Sequence, residues 1–256
     1  MDDLRISKRV SNANFYLITF IVGFIAFFLI REIIMLVLMI AFEIRDPGFA
    51  VSFASLLEQG NFLGFTPNMW TALNLSQFLG NLILTIPLVI ILWKVIVRDF
   101  KLFKTELWHN LRVIGFGFIL MLFGQNLLSR IYQYFGIVDE SANQELIMYA
   151  LEADSSIFIL LSVVILAPLL EELLFRQLFF GLLEEKFKFP KVVALLISAA
   201  VFAALHAYDI FFFQYFFMAL ILAGSYSLFK NNIIIPIGIH FLNNAVILLY
   251  VFDIIG

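Results

Sequence analysis

Two adjacent glutamates and an arginine interrupt one of the most apolar stretches of the chain. Glu172 and Arg176 are four residues apart, so on a helix they share a face and can form an ion pair. Glu171 points about 100° away around the helix, which leaves its carboxylate free for another partner. Because an ionisable side chain in lipid costs roughly 2.5–3.5 kcal/mol on insertion scales, this cluster predicts a functional site.

Two of the three histidines of the chain lie in later apolar stretches. His206 follows Phe202 by four residues, and His240 precedes Asn244 by four, so the members of each pair share a helix face. A carboxylate and an imidazole can hold a water molecule and remove its proton. An imidazole and a carboxamide can donate hydrogen bonds to an oxyanion. Together with Glu171, these groups have the chemistry for peptide hydrolysis without a covalent intermediate.

The composition predicts that lipid surrounds most of the chain. The 256 residues are 63% hydrophobic and only 14% charged, with a mean hydropathy of +1.02. Soluble domains carry about 25% charged residues. The chain has no cysteine, which excludes disulfides, thiolate metal sites and cysteine nucleophiles.

The apolar runs are continuous rather than alternating, which predicts membrane-spanning helices instead of barrel strands. The predicted fold class is all-α, a polytopic membrane helical bundle with about seven transmembrane helices and a short interfacial helix near residues 53–59. A single membrane domain is expected over residues 1–256, with the catalytic helices at 156–250. The predicted spans are 15–42, 73–97, 113–135, 156–183, 191–207, 210–229 and 232–255.

Lysine and arginine residues are concentrated in every second loop of this arrangement. By the positive-inside rule, that pattern predicts a cytoplasmic N-terminus and an external C-terminus in a multi-pass protein of the cell membrane, in particular a bacterial plasma membrane. The same basic loops are expected to contact anionic lipid rather than nucleic acid. The residues concerned are Arg5, Lys8, Arg9, Lys94, Arg98, Lys101, Lys104, Lys186, Lys188, Lys191 and Lys230.

Three motifs on separate predicted helices, Glu-Glu-x-x-x-Arg, Phe-x-x-x-His and His-x-x-x-Asn, resemble those of the CPBP family. That family contains the CAAX prenyl proteases and many bacterial Abi-type membrane proteins. The resemblance covers about residues 156–249. It implies that Glu171 and His206 activate the hydrolytic water and that His240 and Asn244 form an oxyanion hole. It also implies that Glu172, Arg176 and Phe202 support the site.

The resemblance implies a glutamate-dependent intramembrane endopeptidase acting on a peptide or a membrane protein, in peptide maturation or in self-immunity to a bacteriocin. No cofactor is expected. Family members were long described as metalloproteases, but asparagine is a poor zinc ligand, so a metal-free site is predicted and zinc is the alternative. Two other classes remain open: a non-catalytic scaffold or regulator of a sensor kinase, and a small-solute transporter, although transporters commonly show internal repeats. The oligomeric state is left open.

Overall fold

The computed structural model describes residues 13–137 and 141–251, and within these ranges it is helical with no strand. The all-α polytopic membrane bundle predicted from the sequence is confirmed. Four helices are long and apolar enough to cross a membrane, by length and composition. They are α1 (Ala13–Arg45), α3 (Pro67–Thr105), α4 (Leu107–Tyr134) and α6 (Ser156–Glu185). The N-terminal basic residues of the topology prediction, and the end of the last predicted span, lie outside the described residues.

The remaining helices are shorter. The predicted interfacial helix is present as α2 (Phe49–Glu58). The last three predicted spans correspond to α7 (Lys191–Ala204), α8 (Phe212–Leu228) and α9 (Ile234–Ala245), which is followed directly by α10 (Ile247–Val251). One helix, α5 (Ala142–Leu151), was not predicted. It begins where the Ser141 side chain accepts a hydrogen bond from the backbone N–H of Gln144, at 3.2 Å.

Helix α2 is anchored to the end of α1 by one carboxylate. The two oxygens of Glu43 accept hydrogen bonds from the backbone N–H groups of Gly48 and Ala50, each at 2.8 Å. The N–H groups in the first turn of a helix lack partners within the helix, so this carboxylate satisfies donors that would otherwise be free. Gly60, with φ of 64°, follows the end of the helix in the left-handed conformation that favours glycine.

Helix α6 runs through the centre of the bundle, and its α-helical hydrogen bonding is interrupted twice along its length. Its segments Ser162–Leu166 and Leu173–Phe180 are π-helical, and the α-helical segment Ala167–Glu172 lies between them. Such π segments widen a helix locally and occur frequently at functional sites. The two adjacent glutamates therefore end a short α-helical segment between two irregular turns, and the residues around them are almost all buried.

Glycine allows α4 to approach α8 closely. A Cβ atom at Gly124 would overlap the ring of Phe217, whereas a Cβ at Gly115, on the same helix, would meet nothing within 4 Å. We expect Gly124→Ala to destabilise the protein by about 1–3 kcal/mol, because the ring can move only by disturbing the α4–α8 contact. Unfolding midpoints measured in detergent test this expectation.

Gly115→Ala is the matched control for that substitution. It is expected to be neutral or slightly stabilising, because alanine favours a helix over glycine by about 1 kcal/mol. Equal midpoints for the two variants would show that the close packing of α4 on α8 does not contribute to stability.

Candidate active site

The structure brings one carboxylate and two imidazoles together from three helices. The Oε2 atom of Glu171, on α6, lies 3.8 Å from Nε2 of His206 and 3.9 Å from Nε2 of His240. His206 follows the end of α7, and His240 lies in the middle of α9. The sequence places His206 nearer to one membrane face than His240. Both rings nevertheless approach the same oxygen, because α7 ends at Ala204 and His206 follows in the turn beyond it.

The ring of His206 is fixed by a hydrogen bond and by two aromatic contacts. Its Nδ1 lies 2.8 Å from the carbonyl oxygen of Phe202. A carbonyl oxygen can only accept, so Nδ1 carries the hydrogen and Nε2 of the neutral ring presents a lone pair to Glu171. The ring is stacked on Phe202 with centroids 4.4 Å apart, and on Tyr215 with centroids 5.0 Å apart. Both neighbours restrict its rotation.

The ring of His240 is fixed by a buried chain of charges. Its Nδ1 lies 2.9 Å from Oε1 of Glu172, whose Oε2 lies 3.1 Å from Nε of Arg176. Glu172 and Arg176 are both fully buried. The guanidinium also lies over the ring of Phe202 and donates to the carbonyl of Ala219. A carboxylate oxygen accepts, so Nδ1–H of His240 donates to Glu172 and Nε2 faces Glu171.

The positions of Glu171, His206 and His240 restrict the kind of group that can bind between these three side chains. Oε2 of Glu171 has no hydrogen-bond partner among the described residues. With neutral rings, the carboxylate oxygen and the two Nε2 atoms are all acceptors. They can share a group that donates protons, such as a water molecule, or one ring can take up a second proton. The arrangement is therefore suited to polarising water.

Carboxylate and imidazole are also ligands that zinc accepts. The part of the chain that the structure describes holds no group of three His, Cys, Asp or Glu side chains arranged to hold a metal ion. The fourth residue of the motif set, Asn244, contributes a carboxamide, which zinc binds poorly. A chelator separates metal coordination from metal-free activation of water at these donors.

Asn244 lies beside this cluster with its carboxamide held at both ends. Its Nδ2 donates to the carbonyl of Val163, at 2.9 Å, in the first π segment of α6. Its Oδ1 accepts from Nδ2 of Asn243, whose own Oδ1 accepts from Nε2 of Gln125 on α4. An amide nitrogen carries two hydrogens, so one N–H of Asn244 is left for another acceptor.

Several residues of the site are not in the motifs. Asn243 and Gln125 orient Asn244, and Tyr215 covers His206 while its hydroxyl contacts Ser141 at 3.0 Å and Asn143 at 3.2 Å. Gln125 was detectable as a carboxamide within a predicted span, and Asn243 as the neighbour of a motif residue. Tyr215 gave no comparable signal, because tyrosine is common in membrane helices.

A charged residue in the first span also connects to this region. The sequence shows Arg31 only as an interruption of an apolar helix. In the structure, its Nη1 donates to Oε1 of Gln77 on α3 at 2.8 Å, and its guanidinium lies 4.3 Å from the ring centre of Phe27. Gln77 lines the cavity described next, so α1 and α3 contribute to the wall of the site through this pair.

The site opens into a cavity of about 430 Å³. That volume lies within the range of pockets that bind small molecules or short peptides. Apart from Glu171 and the two histidines, the polar side chains that line it are carboxamides and hydroxyls. They are Gln77, Gln125, Ser129, Tyr132, Gln133, Ser141, Asn143, Gln144, Gln214, Tyr215, Asn243 and Asn244.

Comparison with known proteins places a family match on the helices that carry this site. Residues 153–246 match the model of the Rce1-like type II CAAX prenyl endopeptidases. The chain is 35% identical over 134 residues to "Putative membrane peptidase YdiL" of Bacillus subtilis (strain 168), covering 52% of this chain and 53% of that protein. It is 34% identical over 140 residues to "Membrane-embedded CAAX protease MroQ" of Staphylococcus aureus (strain USA300), covering 52% and 55%. The matches thus span about half the length of these relatives. No solved structure gives a significant match.

Proposed function

We propose that this membrane protein is an intramembrane endopeptidase in which a glutamate and a histidine activate water, because residues 153–246 match the model of the Rce1-like type II CAAX prenyl endopeptidases. The observation that carries the proposal is the position of Glu171 Oε2, nearly equidistant from the two imidazole Nε2 atoms at 3.8 and 3.9 Å. The printed names of the two relatives, a membrane peptidase and a CAAX protease, support the same class of reaction.

In the first step, Glu171 and His206 hold a water molecule, and one of them accepts its proton as the oxygen attacks the peptide carbonyl. The lone pair of His206 Nε2 is available for this because Nδ1–H is occupied by the carbonyl of Phe202. A bond forms between the water oxygen and the carbonyl carbon. When the tetrahedral intermediate collapses, the C–N bond breaks and the stored proton passes to the leaving amine.

The developing oxyanion takes hydrogen bonds from His240 and Asn244 in this proposal. To donate through Nε2, the ring of His240 must carry hydrogens on both nitrogens, and the ionised Glu172 at 2.9 Å from Nδ1 stabilises that form. Asn244 supplies the N–H that is not used by Val163. Arg176 pairs with Glu172 and holds its carboxylate beside the His240 ring, and Phe202 packs against both Arg176 and His206.

The substrate class in this proposal is a peptide or a membrane protein, and nothing in the described cavity requires a prenyl group. Maturation of a signalling peptide or destruction of a bacteriocin as self-immunity are the roles we propose for such an activity in a bacterial membrane. No nucleotide or other cofactor takes part in the proposed reaction.

The third histidine of the chain provides a matched control for a test of this proposal. His206→Gln is expected to reduce cleavage of a membrane peptide substrate by about 10²–10⁴-fold, because the proton acceptor is lost. His109→Gln is expected to have no effect, because His109 lies beside Phe229 at the start of α4, away from the cavity. Peptide products are quantified by mass spectrometry after reconstitution in liposomes. Equal activity in both variants would refute the role of His206.

A metal assay tests the second part of the proposal. The purified enzyme is expected to keep its activity after dialysis against a strong chelator, because the proposed chemistry uses only side chains and water. Zinc present at one ion per chain, with activity lost on removal and regained on addition, would replace this mechanism with metal-assisted hydrolysis.

A further inference from the structure

The long helices alternate in direction, so the connections between them gather at two ends of the bundle. At one end lie the connections 105–107, 185–191 and 228–234, and at the other lie 45–67, 134–156 and 204–212. Contacts between the connections confirm the grouping. Lys230 lies 2.7 Å from Glu106 at the first end, whereas the hydroxyl of Tyr132 donates to the carbonyl of Ile210 at the second.

The first end has the features of a cytoplasmic membrane interface. Trp93 and Trp108 are exposed there, at 57% and 74%, as is typical of residues at the level of lipid headgroups. A groove on α3 combines Trp93 with three basic side chains. The hydrogen bond from Lys230 lowers the pKa of the Glu106 carboxyl, so this acid is ionised and offsets one of the nine basic residues at this end. The basic residues at this end are Lys94, Arg98, Lys101, Lys104, Arg112, Lys186, Lys188, Lys191 and Lys230.

The cavity opens at the second end. Its outer wall is formed by Gln133, at the end of α4, by Asn143 and Gln144 on α5, and by Gln214 at the start of α8. These residues belong to, or directly adjoin, the connections 134–156 and 204–212. No described residue of the three connections at the basic end lines the cavity. Lysine and arginine are sparse at this second end, where Arg45 and Arg130 are the described examples.

We infer that the active-site cavity opens to the outer face of the membrane, so that the enzyme cleaves polypeptide segments that are already outside the cytoplasm. The positive-inside rule assigns the basic end to the cytoplasm, and the cavity mouth is at the opposite end. The cleavage in this inference rests on the proposed function, whereas the direction in which the cavity opens does not depend on enzymatic activity.

The side chains that line the cavity indicate the chemical class of substrate that can bind there. Carboxamides and hydroxyls offer both donors and acceptors, which match the N–H and C=O groups of an extended peptide backbone. Among the described lining residues there is no lysine or arginine to bind a phosphate or a terminal carboxylate. The substrate is therefore an internal stretch of an exported polypeptide without acidic groups, rather than a carboxylate chain end.

The absence of cysteine from the sequence makes the direction of the opening directly measurable. Gln133→Cys places a thiol at the exposed rim of the cavity, and Lys188→Cys places one in an exposed turn at the basic end. A maleimide that cannot cross membranes is expected to label Gln133→Cys in intact cells and Lys188→Cys only after permeabilisation. The reverse pattern would overturn the inference, whether or not the protein is a protease.

A second measurement tests the substrate. Right-side-out and inside-out vesicles from producing cells are given a quenched fluorescent peptide that is soluble, uncharged in its central segment and unable to cross the membrane. Cleavage is expected only in right-side-out vesicles, with loss in the Glu171→Gln variant. Cleavage only in inside-out vesicles overturns the inferred side of entry. If neither type of vesicle cleaves the peptide, although maleimide labelling shows that the cavity opens to the outside, the substrate assignment is overturned. That result also counts against the proposed function.

Discussion

Glu171→Gln is expected to reduce peptide cleavage by at least the roughly 10²–10⁴-fold that general acid–base groups contribute, while the protein remains inserted and folded. Glutamine has nearly the same size and shape as glutamate. Oε2 of Glu171 has no hydrogen-bond partner among the described residues, so no described bond of this atom is lost. The substitution therefore removes only the basicity of the Glu171 carboxylate, which both imidazoles face. Product formation and the unfolding midpoint are measured on the same preparation.

Two further variants make this experiment specific. Glu32→Gln removes a carboxylate from an exposed position on α1, inside another apolar helix, and is expected to leave cleavage unchanged. Glu171→Asp keeps a carboxylate but withdraws it from the imidazoles by about one bond length, and is expected to retain a fraction of the activity. If the Glu171→Gln protein is stably inserted and keeps full biological function, hydrolysis at this site is refuted. The result would then favour the alternative function as a non-catalytic scaffold.

Arg176→Met is expected to cause the largest loss of stability among the site variants, about 3–5 kcal/mol. Arg176 and Glu172 are both fully buried, with Nε and Oε2 3.1 Å apart. Removing the cation leaves an uncompensated carboxylate inside the bundle. We expect low accumulation in membranes and a strongly reduced unfolding midpoint in detergent.

The double variant Glu172→Gln/Arg176→Met separates stability from chemistry. Replacing both charges removes the buried ions together, and such exchanges are often neutral for stability. The double variant is therefore expected to recover the midpoint but not cleavage, because His240 has lost the anion beside Nδ1. Lys230→Met breaks the exposed pair with Glu106 and serves as the control, with no measurable change expected. A midpoint for Arg176→Met equal to that of the control would show that the buried pair contributes little.

The parts of this fold that could be predicted are those set by local hydrophobicity. The ends of the long spans were predicted to within a few residues, apart from the second, where α3 continues for about two turns beyond the prediction at each end, and the start of the third, where α4 begins six residues earlier than predicted. These extensions are partly polar, and a helix that leaves the bilayer no longer needs an apolar sequence. Helix α5 was missed because its ten residues are too few to be recognised as a membrane span.

The residues of the candidate site that could be predicted are those whose side chains cost free energy to place in lipid. Glu171, Glu172 and Arg176 stand out against an apolar background, and the spacing of the histidine motifs put the relevant side chains on one face of each helix. What the sequence could not supply was the register between helices. The contact of Tyr215 with His206, and the chain from Gln125 to Asn244, depend on how α4, α8 and α9 are offset along their axes.

The buried charges of α6 divide the motif into two parts that can be lost at different rates in evolution. If Glu171 acts as proposed, a relative can replace it and become inactive with little harm to folding, whereas neither Glu172 nor Arg176 can be lost alone without leaving an isolated ion in the bundle. Inactive descendants should therefore keep the second glutamate and the arginine long after the first glutamate has gone. In genome surveys, the Glu-x-x-x-Arg pair alone is evidence of common descent and fold, and the preceding glutamate is the better marker of a working enzyme.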